Sequence, residues 1–139
     1  MKTILTYGTF DLLHVGHVRL LNRARALGGR LIVGLSTDEF NSEMKGKRTV
    51  IPYDERKEIL ESLSSVDLVI PESTWEQKPL DIGAHGVHTF CMGDDWEGKF
   101  DELREFCEVV YLPRTKDIST TLVRQQVRTG SPTRDREAQ

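Results

Sequence analysis

The chain has 139 residues, of which 37% are hydrophobic and 29% charged, with a formal net charge of −3 from 19 basic and 22 acidic side chains. That length suits one domain with a real core, and the acidic balance argues against a general binder of nucleic acid or membrane surfaces. No apolar run approaches the roughly 18 residues that a bilayer span requires, and the first residues lead into a strand-like run without a signal-peptide layout, so a cytoplasmic protein with no membrane insertion is expected.

In chain order, residues 4–7 read as a first strand. A helix follows over 18–27, apolar at Val18, Leu20, Leu21, Ala24 and Leu27 and stopped by Gly28-Gly29. Residues 31–35 (LIVGL) form a second strand. Residues 38–50 carry Lys45, Lys47 and Arg48 around Gly46 and read as a mobile loop. Pro52 suits the first turn of a helix reaching about residue 63. A third strand over 66–70 (VDLVI) is ended by Pro71. A short helix over 77–84, a strand over 89–92, a helix over 100–106 and a fifth strand over 109–112 follow. A last helix spans 119–127, and the polar tail from 130 to 139 is expected to be disordered, leaving 1–129 as a single domain.

Short strands separated by helices predict an α/β fold: a Rossmann-like, doubly wound, five-stranded parallel sheet with helices on both faces. The near-continuous apolar strands suit burial on both sides. Such sheets bind ligands beyond the carboxyl ends of their strands. Those ends are polar here: GTFDLLHVGH after the first strand, STDEF and the lysine loop after the second, PESTWEQK after the third, GDDWEGK after the fourth and PRTKDISTT after the fifth. The cysteines, Cys91 and Cys107, have no CxxC spacing and read as buried free thiols.

In GTFDLLHVGH, His14 and His17 flank Gly16 where a strand gives way to a helix. A helix N-terminus favours an anion, and a glycine lets it come close to the backbone. Two imidazole donors can stabilise charge on a phosphoryl group in transit. A His-x-x-His pair can also hold zinc, or simply pack, but phosphate chemistry is the preferred reading. At the other end of the chain Arg114 can hold phosphate in bidentate fashion, and Ser119, Thr120 and Thr121 can cap a helix and donate to phosphate oxygens. That motif alone is equally an ordinary N-cap; beside the first, at the same sheet edge, it reads as phosphate binding.

GTFDLLHVGH matches the HxGH signature of the nucleotidyltransferase superfamily, and RTKDISTT resembles its second signature, with Asp117 in place of the usual glycine. Together with WEQK and MGDDWEGKFD, over about residues 2–129, they make the chain similar to the glycerol-3-phosphate cytidylyltransferases. That resemblance implies transfer of CMP from CTP to glycerol 3-phosphate, giving CDP-glycerol and pyrophosphate, by in-line attack of the acceptor phosphate on the α-phosphorus. It implies that His14 and His17 contact the triphosphate, with Asp11 and Arg114 also needed for catalysis. Thr9, Phe10, Gly16, Lys47, Asp95, Arg114, Thr115, Ile118, Ser119, Thr120 and Thr121 would form the nucleotide site. Lys45, Lys78, Arg56, Trp75 and Asp38 would serve the acceptor. Mg²⁺ carried mainly by the CTP phosphates, no protein metal site, and a homodimer are implied as well. Residues 45–56 (KGKRTVIPYDER) differ from the teichoic-acid enzymes and bear on the acceptor. Three other readings are a cytidylyltransferase for another polyol phosphate, an ATP-dependent adenylyltransferase of the same superfamily, and a non-catalytic nucleotide-binding regulator.

Overall fold

The computed structural model describes residues 1–113 and residue 127. The motif at 114–121, the expected last helix and the tail lie outside the described residues. Five strands, β1 (Lys2–Gly8), β2 (Gly29–Ser36), β3 (Leu68–Glu72), β4 (Thr89–Gly93) and β5 (Glu108–Leu112), pair in the order β3-β2-β1-β4-β5. Every pairing is parallel. All carboxyl ends therefore lie along one edge, and strand order reverses between β1 and β4, the position where such sheets bind ligands.

Side chains alternate across the sheet, which gives two cores. Ile4, Leu31, Val33, Leu35, Val69 and Cys91 pack on one face with Leu21 and Ala24 of α1 (Val15–Ala26). Leu60 of α3 (Tyr53–Glu61) joins them. Leu5, Tyr7, Ile32, Phe90 and Met92 pack on the other face with Ile82 of α4 (Lys78–Ala84) and Leu103 of a 3₁₀-helix over Asp101–Glu105. Helices thus cover both faces, as expected. Cys91 is buried, and burial pushes its thiol up to about 12; Cys107 is half-buried, and both are free.

Four elements differ from the sequence reading. First, α1 starts at Val15 and not at 18, because His14 caps it. Second, residues 38–44 are not loop but α2 (Asp38–Met44). Its N-cap, Thr37, accepts a hydrogen bond from the Phe40 N–H at 3.1 Å, and Asp38 and Glu39 occupy the first turn. A capping threonine followed by two acids is a helix-start signal. Third, β3 runs through Pro71 to Glu72. It is an edge strand, where a proline's missing N–H leaves no ladder bond broken. Fourth, the 100–106 helix is a 3₁₀-helix.

Gly34 in β2 lies beneath the ring of Tyr7: a Cβ there would sit 2.2 Å from a ring carbon. The bare backbone lets Tyr7 lie across the sheet, where its hydroxyl donates to Asp81. A glycine inside a strand often marks such an approach.

Candidate active site

The turn after β1 is forced. Phe10 and Leu12 have positive φ (49° and 51°), a left-handed conformation that side chains adopt at a cost. That turn brings Thr9, Phe10, Asp11, His14 and His17 together at the carboxyl end of the central strand.

The histidines form a reciprocal cap. His14 Nδ1 accepts the Gly16 N–H at 3.1 Å, and His17 Nδ1 accepts the His14 N–H at 3.2 Å. Their rings stack at 3.8 Å with 19° between planes, and the Phe10 ring meets His17 at 5.4 Å, edge to face. A backbone N–H can only donate, so both Nδ1 atoms must be acceptors. In the neutral rings the proton then sits on Nε2 of each. Burial, and then the neighbouring His14, hold the His17 pKa down to about 3 against the pull of Asp11. The result is a neutral imidazole with a fixed Nε2–H donor. The Gly16 N–H is engaged by His14, so Gly16 would serve an anion by its missing side chain and not by its own N–H.

His17 has a measurable consequence. Its folded pKa lies below the ordinary value of 6.5, so the unfolded chain takes up the proton first as pH falls. The stability that neutral His17 contributes is complete above about pH 6.5 and declines as pH drops toward about 3. Urea unfolding of wild type and His17→Asn between pH 7 and pH 4 should therefore give a shallower decline for the variant. Parallel curves would show that His17 titrates normally.

Three of the expected site residues build a frame for residues 49–53. Arg56 is 1% exposed. Its Nε donates to Ile51 O at 2.8 Å, one terminal nitrogen to Thr9 O and Ser36 O at 2.8 and 2.9 Å, and the other to Asp38 at 2.6 Å. Asp38 also accepts the Thr49 hydroxyl and the Tyr53 N–H, both at 3.0 Å. Burial raises its pKa, but the hydrogen bonds from Tyr53, Arg56 and Thr49 outweigh it and hold the carboxyl below its usual range. Asp11, 2% exposed, accepts the N–H groups of Val50 and Ile51 at 2.7 and 3.0 Å. Arg56 was expected to serve the acceptor, but its guanidinium points inward, onto protein acceptors. Lys47 lies just before the framed residues, its N–H donating to Asn41 O at 2.8 Å, and lines a cleft with Arg48, Thr49 and Glu39.

A second cluster forms at the end of β3. Lys45 and Lys78 converge on one carboxylate, Glu72: Lys45 Nζ is 3.5 Å from Oε1 and Lys78 Nζ 3.3 Å from Oε2. Aromatic rings enclose them. Lys45 lies 5.3 Å from the centroid of Phe40 and 5.6 Å from that of Trp75. Lys78 lies 4.8, 5.3 and 5.5 Å from Tyr7, Trp75 and Phe100. The turn carrying Trp75 is clamped by Gln77, which accepts the Ser73 and Thr74 N–H groups and donates to Pro71 O and Asp81. The family resemblance named both lysines and Trp75, which the structure brings together, but sequence reasoning missed Glu72. The signal available was an acid closing an apolar strand beside two basic segments. Asp95 is exposed on a 3₁₀ turn (Asp94–Trp96) after β4. Arg114, Thr115, Ile118, Ser119, Thr120 and Thr121 lie outside the described residues.

One strand edge thus carries two neutral imidazole donors and, beside them, a pair of ammonium groups in an aromatic enclosure. Tyr7 of β1 touches the second group two residues before Thr9 begins the first. Both groups suit oxyanions. Among the described residues, no cluster of three His, Cys, Asp or Glu is placed to hold a metal ion, and no helix is long and apolar enough to cross a membrane.

A model of the cytidylyltransferase-like family matches residues 5–126. The chain is 58% identical over 127 residues to the glycerol-3-phosphate cytidylyltransferase of Bacillus subtilis (strain 168), covering 91% of this chain and 98% of that one. It is 55% identical over 127 residues to the enzyme of the same name from Staphylococcus aureus (strain NCTC 8325 / PS 47), covering 91% and 96%. A lipopolysaccharide core biosynthesis protein from Thermoplasma volcanium GSS1 superposes with a TM-score of 0.69 at 20% identity, over 84% of this chain and 99% of that one, which shows the shared fold. With a family model spanning most of its length and relatives this similar end to end, the chain belongs to the cytidylyltransferase-like family and, within it, to the glycerol-3-phosphate cytidylyltransferases.

Proposed function

We infer that this protein transfers CMP from CTP to glycerol 3-phosphate, releasing pyrophosphate and forming CDP-glycerol. An oxygen of the acceptor's phosphate attacks the α-phosphorus of CTP; the new P–O bond forms as the bond to the β-phosphate oxygen breaks, and pyrophosphate leaves. Such a reaction needs positioning and charge stabilisation more than covalent chemistry. The observation that carries the reading is the His14–His17 cap. It holds two imidazoles by Nδ1, which fixes the direction of each Nε2–H, an arrangement that suits charge developing on the leaving phosphate oxygens.

In this reading Thr9, Phe10 and Gly16 line the nucleotide pocket with the histidines. Lys47, Asp95, Arg114, Thr115, Ile118 and Ser119 to Thr121 complete it. Lys45 and Lys78 receive the acceptor's phosphate beside Trp75. Asp11, Asp38 and Arg56 act by holding residues 49–53 in place. Mg²⁺ belongs to this reading as a companion of the triphosphate. Among the described residues no group of three His, Cys, Asp or Glu side chains converges, and the imidazole N–H and ammonium groups bind phosphate oxygens rather than a metal, so the ion would be held by CTP and would neutralise triphosphate charge. A homodimer and a cytoplasmic location, where CTP is made, belong to the same reading.

The test crosses CTP, ATP, GTP and UTP with glycerol 3-phosphate and other polyol phosphates, with Mg²⁺, and follows pyrophosphate release. Activity confined to CTP with glycerol 3-phosphate is expected, together with a rise in Tm produced by CTP and not by ATP. Activity with ATP would overturn the nucleotide assignment. CTP-dependent turnover of another polyol phosphate alone would overturn the acceptor. Sedimentation velocity of the same sample should give a two-chain mass.

A further inference from the structure

The reaction explains why two cations should meet the acceptor's phosphate. It does not explain why a buried carboxylate should sit between them. Glu72 is 2% exposed and Lys78 5%. With Lys45 they make a group of net charge +1, walled by Phe40, Trp75, Tyr7 and Phe100. A phosphate monoester brings nearly two negative charges. If it simply joined the group, the enclosure would carry about −1 with acid against anion, which is unfavourable in a poorly hydrated site.

We propose, on the basis of the function inferred above, that Glu72 is an internal counter-ion: it holds Lys45 and Lys78 converged on one point in the empty site and yields them to the acceptor's phosphate on binding. Glu72 is thus a positioning residue for the acceptor, acting through the two lysines. The geometry supports an exchange. Each lysine touches a different oxygen of Glu72, at 3.3 and 3.5 Å, contacts long enough to be replaced by shorter bonds to phosphate oxygens. Two converging ammonium groups without an anion would repel each other and splay, so a carboxylate of matching span keeps the pocket shaped for a second anion.

The groups that face Lys45 settle what its loss should do. Burial pulls the Lys45 ammonium below the ordinary lysine range; the charge and hydrogen bond of Glu72 hold it up, while Lys47 and Lys78 push it down. Tyr7 lies against Lys78 but is held neutral by burial and by its hydrogen bond to Asp81. Asp81 itself is turned to Tyr7 and Gln77. No other acid in the described cluster takes the place of Glu72 at Lys45.

The test is Glu72→Gln, assayed for pyrophosphate release from pH 7 to pH 9. The lysine must be protonated to hold phosphate, so a depressed lysine loses its grip as pH rises. In the variant the KM for glycerol 3-phosphate should climb by about threefold or more as pH rises across this range, because burial and the charges of Lys47 and Lys78 then depress Lys45 without Glu72 to oppose them. The KM for CTP should move by less than about threefold, and wild type should stay nearly flat in both, because Glu72 opposes the depression of Lys45 and the phosphate ligand titrates below this window. Glu72→Asp keeps the charge and should restore the flat profile. A flat acceptor KM in Glu72→Gln overturns the proposal, as does a climb in both KM values together. If Glu72→Gln does not fold, a rising profile in Glu72→Asp or in wild type overturns it equally. Absence of wild-type turnover with glycerol 3-phosphate would instead refute the function on which the proposal rests.

Discussion

His14→Asn should fold as the wild type does and lose about 10²-fold or more in kcat. Asparagine is among the best N-cap residues, and its carbonyl oxygen can take the place of Nδ1 in accepting the Gly16 N–H, a contact of 3.1 Å in the native cap. The helix start survives. What disappears is the Nε2–H donor, which in the native ring is fixed because Nδ1 is already engaged. His17→Ala makes the complementary test. It removes a donor and also the acceptor for the His14 N–H, so a loss of roughly 1 kcal/mol in stability should accompany a similar loss of turnover. The KM for CTP should change less than kcat in His14→Asn if the donor acts chiefly on charge that develops during transfer. Turnover near that of wild type in His14→Asn would mean that the imidazoles serve only to start α1.

Most of the architecture is legible in the sequence because the sheet is parallel and buried on both faces. Such strands are continuous apolar runs, and LIVGL and VDLVI declare themselves. The misses have local causes. α2 was masked by the lysines that follow it, although Thr37, Asp38 and Glu39 carry the start signal. Pro71 reads as a strand end unless the strand is known to be an edge, which is a fact of strand order and not of local sequence. In the site, the sequence singled out His14 and His17 by their chemistry and Lys45 and Lys78 by resemblance, and the structure brings each pair together. Their partners were not singled out, because a partner is chosen by the fold. Glu72 is 27 residues from Lys45 in sequence, and nothing in PESTWEQK says that its acid turns inward. Arg56 shows the converse. Its charge suggests a ligand contact, yet the fold turns it to the carbonyls of Thr9 and Ser36, which come from two adjacent strands.

That inward turn makes Arg56→Ala the most damaging single change expected of stability. The side chain serves four acceptors from four segments: Thr9 O after β1, Ser36 O at the end of β2, Asp38 in α2, and Ile51 O before α3. The ion pair with Asp38 contributes little, because that carboxylate is 41% exposed and water can replace its partner. The carbonyls decide the outcome. Ser36 O is buried, and Thr9 O and Ile51 O are part-buried; left without a donor, at about 1–3 kcal/mol for a buried group and less where water can reach, they give a loss of about 3 kcal/mol, a large share of the roughly 5–15 kcal/mol that holds a domain together. Arg56→Lys should recover little, because one ammonium cannot reproduce a planar fork that meets acceptors on several sides. Urea unfolding measures the loss, and a change below about 1 kcal/mol would show that water satisfies these carbonyls. The same variants connect stability to function. With Ile51 and Asp38 released, the segment that carries Lys47 loses its frame, while the His14–His17 cap keeps its own hydrogen bonds. The KM values should therefore rise more than kcat falls in any Arg56 variant that still folds, the reverse of the pattern expected for His14→Asn.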